Sequence, residues 1–420
     1  MQQDDLHRFT RFNSFRNAIE LPVRISAGVL PDFAGALYQW YLRGPADRLI
    51  LDFSNVEKAF ANGMLGIIAM ITDLRVKGFQ IDYLPPASGT AKDFFSATKW
   101  SSFLNPEMQR PEKIYRKHFI QQFTSFKELP DLVNNFMDVI IRHIEMPADI
   151  LTALEWSVNE ICDNVINHSN SAVGGFVQVI AYPAKNIIAF TVADAGQGIL
   201  NSLKEGIKDL PGDIEAIEEA IKIGVTRNKE VGQGNGLAGN LRVAEMTGGS
   251  LDIISNGGRV LFLPDKINKM PSALNKKIIG TCVSSQININ QDFSVVKALT
   301  FGAIPYTIYN IVDAKYEMED EDALYIAMRD EEAGTGTRAA GKEMHTKVLN
   351  LMKAKPGYPI IIDWKDIDII SSSFADEFIG KLFLKIGKKA FDTYIKNTKL
   401  MPLVSQLIDK AITERDAQGL

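Results

Sequence analysis

Cysteine is almost missing from this chain: Cys162 and Cys282 are the two in 420 residues. Thiols so far apart fit neither a disulfide framework nor a cysteine metal cluster. Histidine is scarce as well, and its five residues form no ligand-like grouping, so a zinc site is not expected. No segment approaches twenty uninterrupted apolar residues, and the first residues lack a basic stretch followed by an apolar run. Neither a membrane span nor a secretory leader is therefore expected, and the expected compartment is reducing and cytoplasmic. No basic block occurs either: 46 Lys and Arg stand against 51 Asp and Glu, a formal net charge of -5. That balance points away from nucleic acid and from an anionic membrane as partners.

What remains is an ordinary globular composition, 46% apolar and 23% charged, in a chain long enough for two to four domains. Three α/β regions can be drawn, at 1–118, 119–270 and 271–420. In the first, Arg48 to Phe53 reads as a buried strand, Gly63 to Val76 as an apolar helix and Phe79 to Leu84 as a second strand, stopped by Pro85-Pro86. In the second, 125–141 and 150–167 read as amphipathic helices separated near Pro147. Strands follow at 176–182 and 187–192, then helices at 213–223 and 237–247. A hairpin around Asn256-Gly257-Gly258 closes the region. The third begins with a strand-rich half. Its acidic run 317–322 reads as a solvated face, and Gly334-Thr335-Gly336-Thr337 as a turn before a helix.

A weak internal repeat links the first and third regions. Leu51-Asp52-Phe53 leads to Asn62, and Ile362-Asp363-Trp364 leads to Ser373. In both, an acid ends a buried strand and a small polar residue follows at a helix start. Duplication of one α/β unit is the simplest account.

The chemistry concentrates in the middle region. Glu160 and Asn164 are one helical turn apart and share a face, with Asp163 pointing elsewhere and His168 one turn further on. Alone they would read as the polar side of an amphipathic helix. Asn164 offers a neutral oxygen suited to Mg²⁺, and Glu160 can orient or deprotonate a hydroxyl or water. Asp194 ends an apolar strand, where a carboxylate needs donors such as the adenine amino group. Gly196 and Gly198 permit tight turns and close approach to a base. Gly232, Gly234 and Gly236, with Asn235 and Leu237, open a helix whose N-terminus attracts phosphate. The polar stretch 224–229 reads as a lid, with Arg227 and Lys229 as phosphate partners. No Gly-Lys-Ser/Thr ending makes this a P-loop.

In this order the motifs resemble the GHKL ATP-binding superfamily of gyrase, MutL, Hsp-type chaperones, histidine kinases and anti-sigma serine kinases. Glu160-x-x-Asp163-Asn164 matches its N-box, Asp194-x-Gly196-x-Gly198 its first glycine box, and Gly232-x-Gly234-x-Gly236-Leu237 its second. The resemblance implies a Bergerat-type mixed-sheet α/β sandwich binding ATP and Mg²⁺, with Glu160 as general base in hydrolysing members. The third region resembles STAS domains of the anti-sigma-antagonist type, and the first is expected to be STAS-like too. In bacterial antagonists the phosphorylated serine falls at Ser373, or else Ser372. Ser371 and Phe374 replace the usual Asp and Gly there, and the first region has Asn62 at the equivalent place. The expectation is an α/β multidomain regulatory protein in which Mg-ATP binding, with or without slow hydrolysis, switches contacts with a protein partner, a second copy of the chain, or its own STAS-like domain. A serine kinase acting on Ser373 in cis or on another chain, and a scaffold holding nucleotide as a structural ligand, are the alternatives.

Overall fold

The structure is a computed structural model and describes residues 9–44, 48–107, 119–207, 209–222, 224, 235–300, 312–318 and 321–417. The chain forms two compact units. One comprises residues 1–136 and 156–306, the other 137–155 and 307–420.

The first unit begins with a four-stranded sheet. Strands β1 (Arg11–Asn13) and β2 (Ala18–Glu20) pair antiparallel. Helix α1 (Leu30–Leu42) then leads to β3 (Arg48–Asp52), and α2 (Ala61–Val76) leads to β4 (Gln80–Leu84). The strand order is β1-β2-β3-β4, and β2, β3 and β4 are parallel. Parallel neighbours need a crossover connection, which the two helices supply. Helix α2 buries nearly its whole circumference, from Met64, Leu65, Ile67 and Ile68 to Met70 and Ile71. A helix apolar on every side requires cover on every side.

That cover is a second, seven-stranded sheet in the same unit. After β5 (Gln121–Phe123) come α3 (Leu129–His143) and α4 (Ala148–His168), each contributing residues to both units. Then follow β6 (Gly175–Tyr182), β7 (Ile187–Asp194), α5 (Gly236–Met246), β8 (Ser250–Ser255), β9 (Gly258–Leu263), β10 (Lys266–Pro271) and β11 (Thr281–Asn288). The order is β10-β9-β8-β11-β7-β6-β5. Two expectations are corrected here. The sheet is antiparallel at every pair rather than mixed. It also continues past residue 270, because β11 inserts between β8 and β7. The β9 and β10 hairpins fold back, and the next strand closes the centre of the sheet instead of opening the C-terminal region.

Phe176, Ile180, Ala193, Ile254 and Cys282 share one core with Met64, Ile67 and Ile71 of α2. Alternation puts Val177, Val179, Val192, Ile253 and Val283 on the opposite face, and they are buried as well. Asp194 belongs to this opposite face, two residues beyond Val192.

The second unit holds another four-stranded sheet: β12 (Glu317–Met318), β13 (Glu321–Ala327), β14 (Ile360–Asp363) and β15 (Ile395–Thr398), in that order. The first pair is antiparallel and the rest are parallel. Helix α6 (Arg338–Ala354) and a helical stretch at 372–386, with a wide π turn at Asp376–Gly380, make the crossovers, and α7 (Pro402–Asp416) is the last described element. Part of the interior is ionic. Lys347, with no exposed side-chain surface, lies 2.5 Å from Glu331 and 3.3 Å from Asp138. Arg142 pairs with both acids, and the Tyr316 hydroxyl donates to Asp138. Asn350 caps the α3–α4 turn: its amide nitrogen donates to the carbonyls of Ile141 (2.8 Å) and Ile144 (2.9 Å), and its oxygen accepts from Met146 N–H at 2.9 Å. Among the described residues no helix is long and apolar enough to cross a membrane.

Candidate functional site

Helix α4 carries Glu160, Asp163 and Asn164 in its last turns. The start of α5 comes up against this face. A Cβ on Gly236 would sit 2.8 Å from Glu160 Oε2 and 3.3 Å from Asn164 Nδ2, so any side chain there would displace the acid and the amide. Burial, reinforced by the Asp163 carboxylate, pushes the Glu160 carboxyl up to about 7. Asp163 is also raised by burial, and it accepts a hydrogen bond from Asn167 Nδ2 at 2.7 Å. His168 is the last residue of the helix.

Asp194 ends β7 and is buried. Its Oδ1 accepts from Gly196 N–H at 2.8 Å, and the Thr281 backbone N–H of β11 donates to the carboxylate too. Burial outweighs these two donors and raises the carboxyl to about 7. A carboxylate in that position is short of donors and suited to accept one more. Gly196 and Gly198 turn out to be required by the protein itself. A Cβ on Gly196 would run into the carbonyl of Ser169, and one on Gly198, whose φ is +79°, into the side chain of Asn256.

Asn235 precedes α5, and its Oδ1 accepts from Gly224 N–H at 3.1 Å. Gly236 and Leu237 are the first two residues of that helix. Arg227, Lys229, Gly232 and Gly234 lie outside the described residues. Thr281 was not singled out from sequence. The signal available was Gly280 directly before an alternating run, the usual mark of a tight entry into a strand. Among the described residues no group of three or more His, Cys, Asp or Glu is placed to hold a metal ion.

In the second unit Asp363 ends β14. Burial works to raise its carboxyl, but Lys399 (2.7 Å), the Tyr325 hydroxyl and Lys365 N–H (2.9 Å) outweigh it and hold it at about 2. Ser371 caps the helix that follows, accepting from Phe374 N–H at 3.0 Å, and its hydroxyl is 3.1 Å from that of Ser373. The acids of the next turn are neutralised. Asp376 takes a two-point contact from Arg415 at 2.7 and 2.8 Å, and Glu377 pairs with Arg338 and Lys381. The repulsion that Asp376 and Glu377 would exert on a phosphate at Ser373 is correspondingly reduced.

Residues 340–402 match the family described as a STAS-like domain of unknown function (DUF4325). The match runs from α6 through β14 and the 372–386 helix to just past β15, so the C-terminal region is STAS-like. No curated protein matches the chain.

Proposed function

We propose that the unit containing α4, β7, α5 and β11 binds Mg-ATP in the manner of the GHKL superfamily, and that nucleotide occupancy switches the interactions of a regulatory protein carrying a STAS-like domain. One observation carries the reading: Glu160 and Asn164, on one face of α4, lie against Gly236 at the N-terminus of α5. An acid, an amide side chain and a helix N-terminus are what a magnesium-bound polyphosphate needs, since Mg²⁺ takes one or two protein oxygens and keeps water and phosphate for the rest. Buried Asp194, with two backbone donors, has acceptor capacity left for the adenine amino group. Glu160, titrating near 7, is poised to take a proton from an attacking water or hydroxyl.

Calorimetric titration of the whole chain with Mg-ATP tests the reading. Saturable binding that Asp194→Asn weakens is expected; a folded wild-type protein that takes up no Mg-ATP overturns it.

A serine kinase of anti-sigma type is the second reading. It is favoured by Ser373 in the second position of a helix within the STAS-like segment, beside acids already paired with Arg415, Arg338 and Lys381. Incubation with Mg-ATP should then add one phosphate to the intact mass, placed by fragmentation at 371–373. Phosphate release with no change in mass removes transfer in cis and leaves the switch.

A further inference from the structure

Gln197 lies between Gly196 and Gly198 and holds four pieces of chain together. Its N–H donates to the Ser169 carbonyl at 2.7 Å, and its side-chain Nε2 donates to the His168 carbonyl at 2.8 Å. Both acceptors are at the end of α4, one turn beyond Asn164. The Gln197 carbonyl accepts from Asn256 Nδ2 and from Asn201 Nδ2, both at 2.9 Å. Asn256, in turn, accepts from Ile278 N–H (3.1 Å) and donates through its own N–H to Gly280 (3.2 Å), next to the Thr281 N–H that holds Asp194. Close by, the buried Ser255 hydroxyl accepts from Ile199 N–H at 2.8 Å and lies 3.0 Å from Thr281 Oγ1. Gly196 and Gly198 leave no room for side chains because this clasp fills the space.

The geometry points to Gln197 as a positioning residue that fixes the end of α4 relative to the Asp194 turn. Through it, the Glu160–Asn164 face and the base-accepting carboxylate are held at one fixed spacing. The inference rests on the nucleotide reading above and adds what sets the distance between its two halves. The side-chain bond to His168 is the part a substitution can remove. The backbone bond to Ser169 stays, so the turn keeps its fold while the tie between the two elements loosens.

The test is a double-mutant cycle on the full chain, titrated with Mg-ATP. Gln197→Met preserves length and removes the donor; affinity should fall about tenfold, the scale of one hydrogen bond. In the Asn164→Ala background the same change should cost less than about twofold, because the group being positioned is gone. Asn256→Gly keeps the left-handed backbone of Asn256, whose φ is 48°, and removes the other side-chain tie. It should reproduce the loss in weaker form and serves if Gln197→Met does not fold. Wild-type binding that Gln197→Met leaves unchanged overturns the inference alone. A tenfold loss that persists in the Asn164→Ala background also overturns it, since Gln197 would then act independently of α4. A wild-type chain that binds no Mg-ATP removes the nucleotide reading and this inference together.

Discussion

In the sheet of residues 11–84 an antiparallel edge strand is followed by three parallel ones, and the sheet of residues 317–398 repeats that order. The middle parallel strand of each ends in an aspartate, Asp52 or Asp363, and ten residues later comes the second residue of a helix, Asn62 or Ser373. The helices make the difference. Helix α1 buries Leu30, Phe33, Leu37 and Trp40, whereas its counterpart α6 buries Lys347 and Asn350 beside Met344, Val348 and Leu351. Helix α2 is enclosed along its length, and Asn62 sits where the carbonyl of its own backbone receives the Cys282 thiol. At the matching place in the second sheet Ser372 is exposed, Ser373 is half-buried, and Ile369 nearby is 65% exposed. One chain plan thus yields a brace where its helices are apolar all round. Where they carry paired charges, it leaves a helix start open to solvent.

The largest effect should come from the ionic interior. Lys347→Met leaves Asp138 and Glu331 buried with less compensation, and should cost the second unit about 3–5 kcal/mol in denaturant unfolding. Unchanged stability would erase the contrast between α6 and α1.

The strand-ending aspartates differ in the same sense, and Asp194→Asn should weaken Mg-ATP binding by about 1.5–3 kcal/mol. The sign of the pH dependence separates Asp194 from Asp363. Asp194 is raised to about 7, so its contribution to folding is fully present below its unfolded value near 3.8 and is lost as pH rises through 7. Asp363, lowered to about 2, contributes above 3.8 and loses that contribution as pH falls through 2. Between pH 4 and 8 the nucleotide-free Asp194→Asn protein should therefore lose less stability than wild type, and Mg-ATP affinity should rise as pH passes 7. A flat wild-type profile over that range would count against the buried carboxylate.

The brace itself is tested by Gly63→Val. A Cβ there would stand 2.7 Å from the Ser26 carbonyl, and overpacking should cost about 1–3 kcal/mol. A neutral result would mean α2 has slack against its neighbours. The smallest effect is expected at the open helix start, where Ser371→Ala removes the cap for about 1 kcal/mol, read as a shift in the unfolding midpoint. Asn62→Ala, inside α2 rather than capping it, should show no such capping loss.

Much of this architecture is legible locally. The two amphipathic helices before the site, expected at 125–141 and 150–167, are Leu129–His143 and Ala148–His168. The 3.6-residue period survives whatever packs on the helix. The acid and amide of α4 and the glycine at the start of α5 were identifiable as residues, and their meeting at Gly236 needed the fold. The glycines beside Asp194 were identifiable as well, but not their cause, because Ser169 and Asn256 are distant in sequence. Strand β11 was missed as part of the central sheet for a related reason. Thr281-Cys282-Val283-Ser284-Ser285 pairs with β7 and β8, and nothing in a short apolar-polar alternation names its neighbours. The Asn256-Gly257 hairpin looked like the end of a sheet, and two more strands of that sheet follow it. Likewise, Met146 gives no hint that Asn350 will accept from it.

Residues 137–155 belong with 307–420, although more than a hundred residues of the other unit separate them. During synthesis this segment, with Ile140, Ile141, Ile150 and Leu151, emerges long before Glu331, Lys347 and Asn350 exist to enclose it. At the usual pace of about 5–20 residues per second the delay is roughly ten to forty seconds. For that interval the nascent chain carries the facing ends of α3 and α4 without the cover the second unit supplies. The second unit is consequently the last part to close, and a chain terminated early would leave those ends open to aggregation.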